Sequence, residues 1–234
     1  MEKITAVIIY GGSYDKRLLE VAKRSVAWCD DLVLVNGIKG SFNDWRNEGL
    51  KKAKGDWLFY LDSDEEVTNE LQEEILHVID SDQSHGCFAV PRQNIIFGKE
   101  FKYSGQYPDY QKRLFRRENL KKWVGDVHEE PVFEGVLGHL KNPIIHHKSM
   151  TISEMVEKTN KWSEIEADLM IKANHPPMNI LRFISAGFRE FVLRFLKEKA
   201  FLDGKEGVIY GIYQIYSKLI SYAKLWEKQT VKKV

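Results

Sequence analysis

Three short apolar runs free of charged residues, at 4–10, 32–35 and 57–61, alternate with stretches whose apolar residues recur at helical spacing. This alternation restricts the fold more than any other feature of the chain. A continuous apolar run of strand length has no polar face to offer water, so it belongs to a strand covered on both sides. Between the runs, Leu18, Leu19, Val21, Ala22 and Val26 mark one face of a helix over 16–27, and residues 45–53 return to the same period. Strand, helix, strand, helix, strand predicts a parallel sheet with helices on its faces. The first run is too short for the hydrophobic region of a signal peptide and reads as the first strand, so no export is expected.

The pattern changes after a helix expected over 69–79. Short strand candidates follow at 87–90, 95–97, 101–103 and 113–115, separated by turn residues, and they predict a mixed or antiparallel second half. From residue 153 onward only helices are expected, over 153–173, 179–199 and 205–226, with His175-Pro176-Pro177 and Asp203-Gly204 as breaks. The predicted organisation is an α/β, Rossmann-like mixed sheet over 1–150 with a helical C-terminal extension over 151–234. No internal repeat is visible.

Thirty-five basic and 34 acidic side chains leave a formal charge of +1. A general nucleic-acid binder needs a basic footprint that this balance does not supply, so no nucleic-acid partner is expected. Cys29 and Cys87 have neither metal-ligand spacing nor the density of a disulfide scaffold and read as reduced, buried residues. The longest uncharged stretch of the C-terminal part, 208–217, is about half the ~20 residues that a membrane-spanning helix requires.

Asp62-Ser63-Asp64-Glu65-Glu66 follows directly on the third apolar run. Ligands of open α/β sheets bind at the carboxyl ends of the strands, and two aspartates one residue apart can hold Mg²⁺ or Mn²⁺ together with nucleotide phosphates. An acidic first turn of a helix would have the same composition. The longer phrase running from Lys54-Gly55-Asp56-Trp57 through Leu61-Asp62-Ser63-Asp64-Glu65 resembles the signature of family 2 glycosyltransferases. Arg46-Asn47-Glu48-Gly49 resembles the family's Arg-Asn-x-Gly on the preceding helix. Tyr107-Pro108-Asp109-Tyr110, Gln111-Lys112-Arg113-Leu114-Phe115-Arg116, Val127-His128-Glu129, Ile145-His146, Lys158-Thr159-Asn160-Lys161-Trp162, Phe201-Leu202-Asp203-Gly204 and Tyr222-Ala223-Lys224-Leu225-Trp226 follow in order. That order is similar to the bacterial lipopolysaccharide-core glucosyltransferase subgroup.

The resemblance implies a GT-A-type, nucleotide-sugar-binding fold and an inverting, metal-dependent hexosyltransferase. The donor would be a nucleotide-diphosphate sugar, and the acceptor a glycolipid or oligosaccharide of cell-envelope polysaccharide. It implies donor contacts from Asn36, Arg46, Asn47, Asp62 and Ser63, and a Mn²⁺ or Mg²⁺ site of Asp62, Asp64 and His146. His147 competes for the last position, and a buried structural histidine is the other reading of His146. Glu129 stands where the family's general base stands, with Asp109 the alternative; either acid would otherwise cap a turn or pair with Arg113, Arg116 or Arg117. The chain departs from the family after the second strand, where Val35-Asn36-Gly37-Ile38-Lys39-Gly40 replaces the usual Asp-x-x-Ser-x-Asp phrase. Asn36 can hydrogen-bond a base or ribose there but brings no charge.

Between residues 182 and 199, Arg182, Arg189, Arg194, Lys197 and Lys199 are interleaved with Phe183, Ile184, Phe188, Phe191 and Leu196, against two acids, Glu190 and Glu198. This composition fits a cationic amphipathic helix on an anionic membrane surface, which with the resemblance predicts a cytoplasmic protein peripheral to the inner face of the membrane. Tyr210, Tyr213, Tyr216 and Tyr222 mark the last helix as core or subunit interface, which leaves a homo-oligomer open. Two other functions stay open at this point: a catalytically silent nucleotide-sugar or glycan-binding module, and a nucleotidyltransferase, for whose phosphate loop Gly11-Gly12-Ser13 is a weak match.

Overall fold

The computed structural model describes residues 2–11, 15–36, 40–81, 84–125, 129–149 and 151–230. Gly12 and Ser13, Gly37 to Lys39 behind Asn36, and Val127 and His128 lie outside the described residues. In chain order the elements of the first half are β1 (Ile4–Tyr10), α1 (Lys16–Ser25), β2 (Asp31–Asn36), α2 (Phe42–Lys52), β3 (Trp57–Asp62), β4 (Glu65–Val67), α3 (Asn69–Ser81) and β5 (His85–Ile96). They continue as β6 (Lys99–Glu100), β7 (Asp109–Arg116), β8 (Leu120–Val124), β9 (Glu130–Phe133), β10 (Val136–His139) and β11 (Ile144–Ser149). The helices α4 (Ile152–Lys172), α5 (Ile180–Phe191) and α6 (Gly204–Thr230) follow.

The chain divides into two compact units, residues 1–93 with 108–147, and residues 94–107 with 148–234. In the first, β1 lies between β2 and β3, parallel to both, and the sheet continues antiparallel from β3 to β7 and from β7 to β5. The predicted α/β class, parallel at first and mixed beyond, is therefore observed. Alternate residues of the strands serve opposite faces, as the two-residue period requires. Ile4, Ala6, Ile8, Trp57, Phe59 and Leu61 face α1 and α3, whereas Val7, Ile9, Leu58 and Tyr60 face α2 and β8. Each fully buried large side chain here contributes about 1.5–3 kcal/mol relative to exposure. Asp44 locks the start of α2 by accepting from the backbone N–H and hydroxyl of Ser41.

Register decides where a ligand can meet this sheet. Tyr10 pairs with Asn36 and Ile9 with Asp62, so the carboxyl ends of β1, β2 and β3 finish together and set Asn36 and Asp62 at one edge. Both cysteines are free thiols, Cys87 buried as expected and Cys29 only half-buried, and desolvation pushes the pKa of each up to about 12.

In the second unit, Ile96, Phe101, Met155 and Tyr210 form one core, and Ala167, Met178 and Leu225 a second. The strand expected at 101–103 is a turn. Asp203 holds it by accepting from the backbone N–H groups of Lys102 and Tyr103 and from the Ser104 hydroxyl. The helix expected to run unbroken over 179–199 gives way after Phe191 to a π-helical turn, Val192–Lys197, and the chain leaves it with Lys199 in the left-handed region at φ 52°. Glu198 donates its N–H to the Leu193 carbonyl, while Arg194 bridges Glu190 and Glu198. Among the described residues no helix is long and apolar enough to cross a membrane.

Candidate active site

Strand β3 carries its apolar run to the sheet edge and releases the chain at Asp62, where a tight turn leads into β4. Glu65 closes that turn by accepting the Asp62 N–H at 2.9 Å. Arg113 of β7, only 3% exposed, donates to Asp62 Oδ2 at 2.5 Å and to Glu65 Oε1 at 2.6 Å. Arg46 of α2 donates to the other Asp62 oxygen at 3.1 Å. Arg92 of β5 lies 3.6 Å from Glu65 and pairs with Asp109. Guanidinium and carboxylate therefore alternate along a chain from Arg46 through Asp62, Arg113, Glu65 and Arg92 to Asp109. Burial would raise the Asp62 carboxyl, but Arg113, Arg46 and Arg92 outweigh it and hold Asp62 well below the usual carboxylate range. Arg113 is pulled down by burial and pushed up further by Asp62 and Glu65, so it stays charged.

Arg46 is also stacked over the Trp123 ring, 4.8 Å from its centroid. Its Nε and Nη1 are buried and have no hydrogen-bond partner among the described residues. Buried donors of this kind are costly unless a ligand or water takes them. The neighbouring Asn47 is differently used. Its amide accepts from the Trp123 N–H at 2.8 Å and donates to the Trp123 carbonyl at 2.9 Å, which ties α2 to β8. Ser63 is buried within the turn, and Asn36 is exposed at the end of β2.

Asp64 and His146 face one another. The His146 Nε2 stands 3.7 Å from Asp64 Oδ2, and the backbone holds the two together, because the His147 N–H donates to the Asp64 carbonyl at 2.9 Å. The separation exceeds a hydrogen bond but is within reach of two ligands on one ion. His147 is turned toward Glu66 at 3.7 Å. Among the described residues no three His, Cys, Asp or Glu side chains converge as a closed metal set. The Asp64–His146 pair nevertheless fits a hard divalent cation, since such ions commonly take one or two protein ligands and fill the rest with phosphate oxygens and water. Asp62, its oxygens engaged by Arg46 and Arg113, anchors the turn beside that pair.

Of the two candidate bases, Asp109 is held on both oxygens, Oδ2 by Arg92 and Oδ1 by Gln111. Glu129 is half-buried just before β9, and among the described residues no hydrogen bond or ion pair engages its carboxylate. Sequence reasoning did not single out Arg113, Glu65 and Arg92 as parts of the site. The available signal was a charged residue inside an otherwise core-facing stretch, Arg113 before Leu114 and Phe115, a position where burial demands a partner of opposite sign.

The model of glycosyl transferase family 2 matches residues 2–137. The chain belongs to this family. It is 21% identical over 206 residues to the lipopolysaccharide core biosynthesis glycosyltransferase LpsC of Rhizobium meliloti, covering 83% of this chain and 75% of that protein. It is 24% identical over 186 residues to an uncharacterized glycosyltransferase of Rickettsia bellii, and the match takes in 75% of this chain but only 63% of the relative's length. Among solved structures, S. aureus TarS 1–349 in complex with UDP-GlcNAc superposes with a TM-score of 0.45 at 12% identity, over 97% of this chain and 91% of that one.

Proposed function

We propose that this family 2 chain transfers a sugar, with inversion, from a nucleotide-diphosphate donor to a glycolipid or oligosaccharide acceptor of cell-envelope polysaccharide. The observation that carries the reading is the Asp64–His146 pair at the end of β3, beside an Asp62 clamped between Arg46 and Arg113. In a single displacement, the acceptor oxygen bonds to the sugar's anomeric carbon as the bond from that carbon to phosphate breaks. The leaving nucleoside diphosphate departs with the electron pair. Glu129 takes the acceptor's hydroxyl proton, a role supported by its unengaged carboxylate and by the double engagement of Asp109. Arg46 is assigned to the donor's phosphates, a role supported by its unpartnered guanidinium N–H groups, and Asn36, exposed at the end of β2, to its base or ribose. Asp64 and His146 would hold Mn²⁺ or Mg²⁺, which when bound supplies positive charge against the departing diphosphate.

The test is a thermal-shift screen of uridine, guanosine and thymidine diphosphate sugars with Mn²⁺, followed by a transfer assay. A donor at 100 times its Kd stabilises by about 2.7 kcal/mol, a rise on the order of 5–10 °C for a chain of this size. Asp64→Ala is expected to fold normally and lose the Mn²⁺-dependent part of that rise. Glu129→Gln is expected to keep the rise and lose about 10²–10⁴ in turnover. Binding without turnover in the wild type would leave a nucleotide-sugar-binding module. A donor shift unchanged in Asp64→Ala would remove Asp64 from the site, and near-normal turnover in Glu129→Gln with a dead Asp109→Asn would move the base to Asp109.

A further inference from the structure

The second unit leaves an apolar helix face uncovered. In α5, Ile180, Leu181, Ile184 and Phe188 are 70%, 74%, 61% and 66% exposed, values opposite to what such side chains prefer. At about 100° per residue these four fall, with Phe191, in one arc of roughly 100°. On the same count the packed face adjoins this arc: Ala186, at about 240°, is buried, and Gly187, at about 340°, is close against Leu219 of α6. The helix is therefore already packed through one face and presents a second, equally apolar one. The chain beyond it keeps the same character, with Leu196, Phe201 and Leu202 all exposed.

The exposed charges of residues 180–199 are of one sign. Arg182, Arg189, Lys197 and Lys199 are exposed. The acids of the same stretch are withdrawn: Glu190 and Glu198 are both taken by Arg194, and Asp203 is buried. Arg194, which the sequence counted among the basic face, is thus neutralised inside the unit. What remains on this stretch is a wide aliphatic and aromatic arc whose exposed charged neighbours in the chain are all cations. A soluble monomer rarely exposes such a patch without a partner, and a second copy of this same surface would bring like charges together. A surface that is apolar at depth and anionic at its boundary satisfies both halves of the pattern.

From this we infer that the exposed face of α5 seats on an anionic lipid surface, lying in its plane with Leu181, Ile184 and Phe188 inserted and Arg189, Lys197 and Lys199 at the headgroups. The inference is independent of the chemistry proposed for the other unit. It is tested by co-sedimentation of the full chain with vesicles of phosphatidylglycerol and phosphatidylcholine, and of phosphatidylcholine alone, at 50 and 500 mM salt. Binding is expected on the anionic vesicles and to weaken with salt. Arg189→Gln, Lys197→Gln and Lys199→Gln together should lower partitioning on the order of a hundredfold, and Leu181→Glu with Phe188→Glu should abolish it. All five positions are exposed, so circular dichroism and donor-induced thermal shifts should match the wild type. Equal sedimentation on neutral and anionic lipid, or binding untouched by either set of substitutions, would overturn the inference. So would a concentration-dependent dimer in analytical ultracentrifugation that Phe188→Glu dissolves, since the face would then belong to a second copy.

Discussion

A guanidinium that bridges two carboxylates from a site 3% exposed cannot give way to an apolar side chain without leaving charge behind. Arg113→Met should therefore destabilise the fold by about 3–5 kcal/mol at pH 7, although Met approximates its length and volume. The pH dependence separates an electrostatic cause from a packing one. Asp62 is held below its ordinary value, so its pairing stabilises the wild type fully above the unfolded value of about 3.9 and is lost as pH falls through that value toward the folded one. Without Arg113 the depression relaxes, and protonation in acid relieves the variant instead of costing it. The stability gap between wild type and Arg113→Met should narrow from pH 7 to pH 3.5, as read by urea denaturation. A gap of the same size at both pH values would mean that Arg113 matters for its packing alone. The sequence offered Asp62 and Asp64 because strand-end acids need no tertiary knowledge to be noticed. It hid the clamp because Arg113, Glu65 and Arg92 come from three strands whose pairing it does not state.

At the level of elements, the distance between α2 and β1 is set by one residue. A Cβ on Gly49 would overlap Cγ1 of Val7, a buried residue in the middle of β1. Replacing glycine by alanine inside a helix ordinarily gains about 1 kcal/mol. Here the overlap should cost about 1–3 kcal/mol and push α2 outward, carrying Arg46 with it. Gly187 in α5 provides the control, because its Cβ would meet Leu219 at an ordinary 3.5 Å. Thermal unfolding should show Gly187→Ala at or above wild type and Gly49→Ala below it, with a smaller donor-induced shift in the latter alone. The same sign for both would detach Arg46 from the packing of α2. This explains why the glycine of Arg46-Asn47-Glu48-Gly49 was legible as part of a motif before its reason was. Elements with strong periodicity were equally legible: β1, β3, α3 and α4 lie within a few residues of their expected places. Those without it were not. Expected as two pieces, β5 is one strand from His85 to Ile96, because its polar middle is buried and satisfied, Asn94 donating to the Gln106 carbonyl at 2.8 Å. Strands β8 to β10 are not among the expected strands, because short, half-exposed strands such as Leu120-Lys121-Lys122-Trp123-Val124 show neither a continuous apolar run nor a regular two-residue alternation.

For the whole molecule, the C-terminal helices are not a tail that begins after the sheet ends. The chain enters their unit at residue 94, leaves it after 107, and returns at 148. The early visit is built in: Phe101 packs edge-on against Tyr210, with 5.5 Å between ring centroids, and Asp203 receives two backbone N–H groups and a hydroxyl from the turn at 102–104. A chain cut after residue 150, where the sequence suggested a division, would lose Met155, Asp203 and Tyr210 from around that turn. It would expose Ile96 and Phe101, both fully buried, and leave the N–H groups of Lys102 and Tyr103 without their acceptor. Exposed apolar surface of this kind favours association. We expect residues 1–150 to aggregate or bind a hydrophobic dye when expressed alone. Replacing residues 95–106 in that fragment by a short glycine and asparagine turn should restore a monomer with a cooperative thermal transition, since the bond between the Asn94 side chain and the Gln106 carbonyl shows that the two ends of the excursion already meet. Size-exclusion chromatography and thermal unfolding of the two fragments decide the matter. If the uncut 1–150 fragment is as monomeric and as stable as the version with its excursion removed, the sheet unit does not depend on the helices for the burial of 95–106.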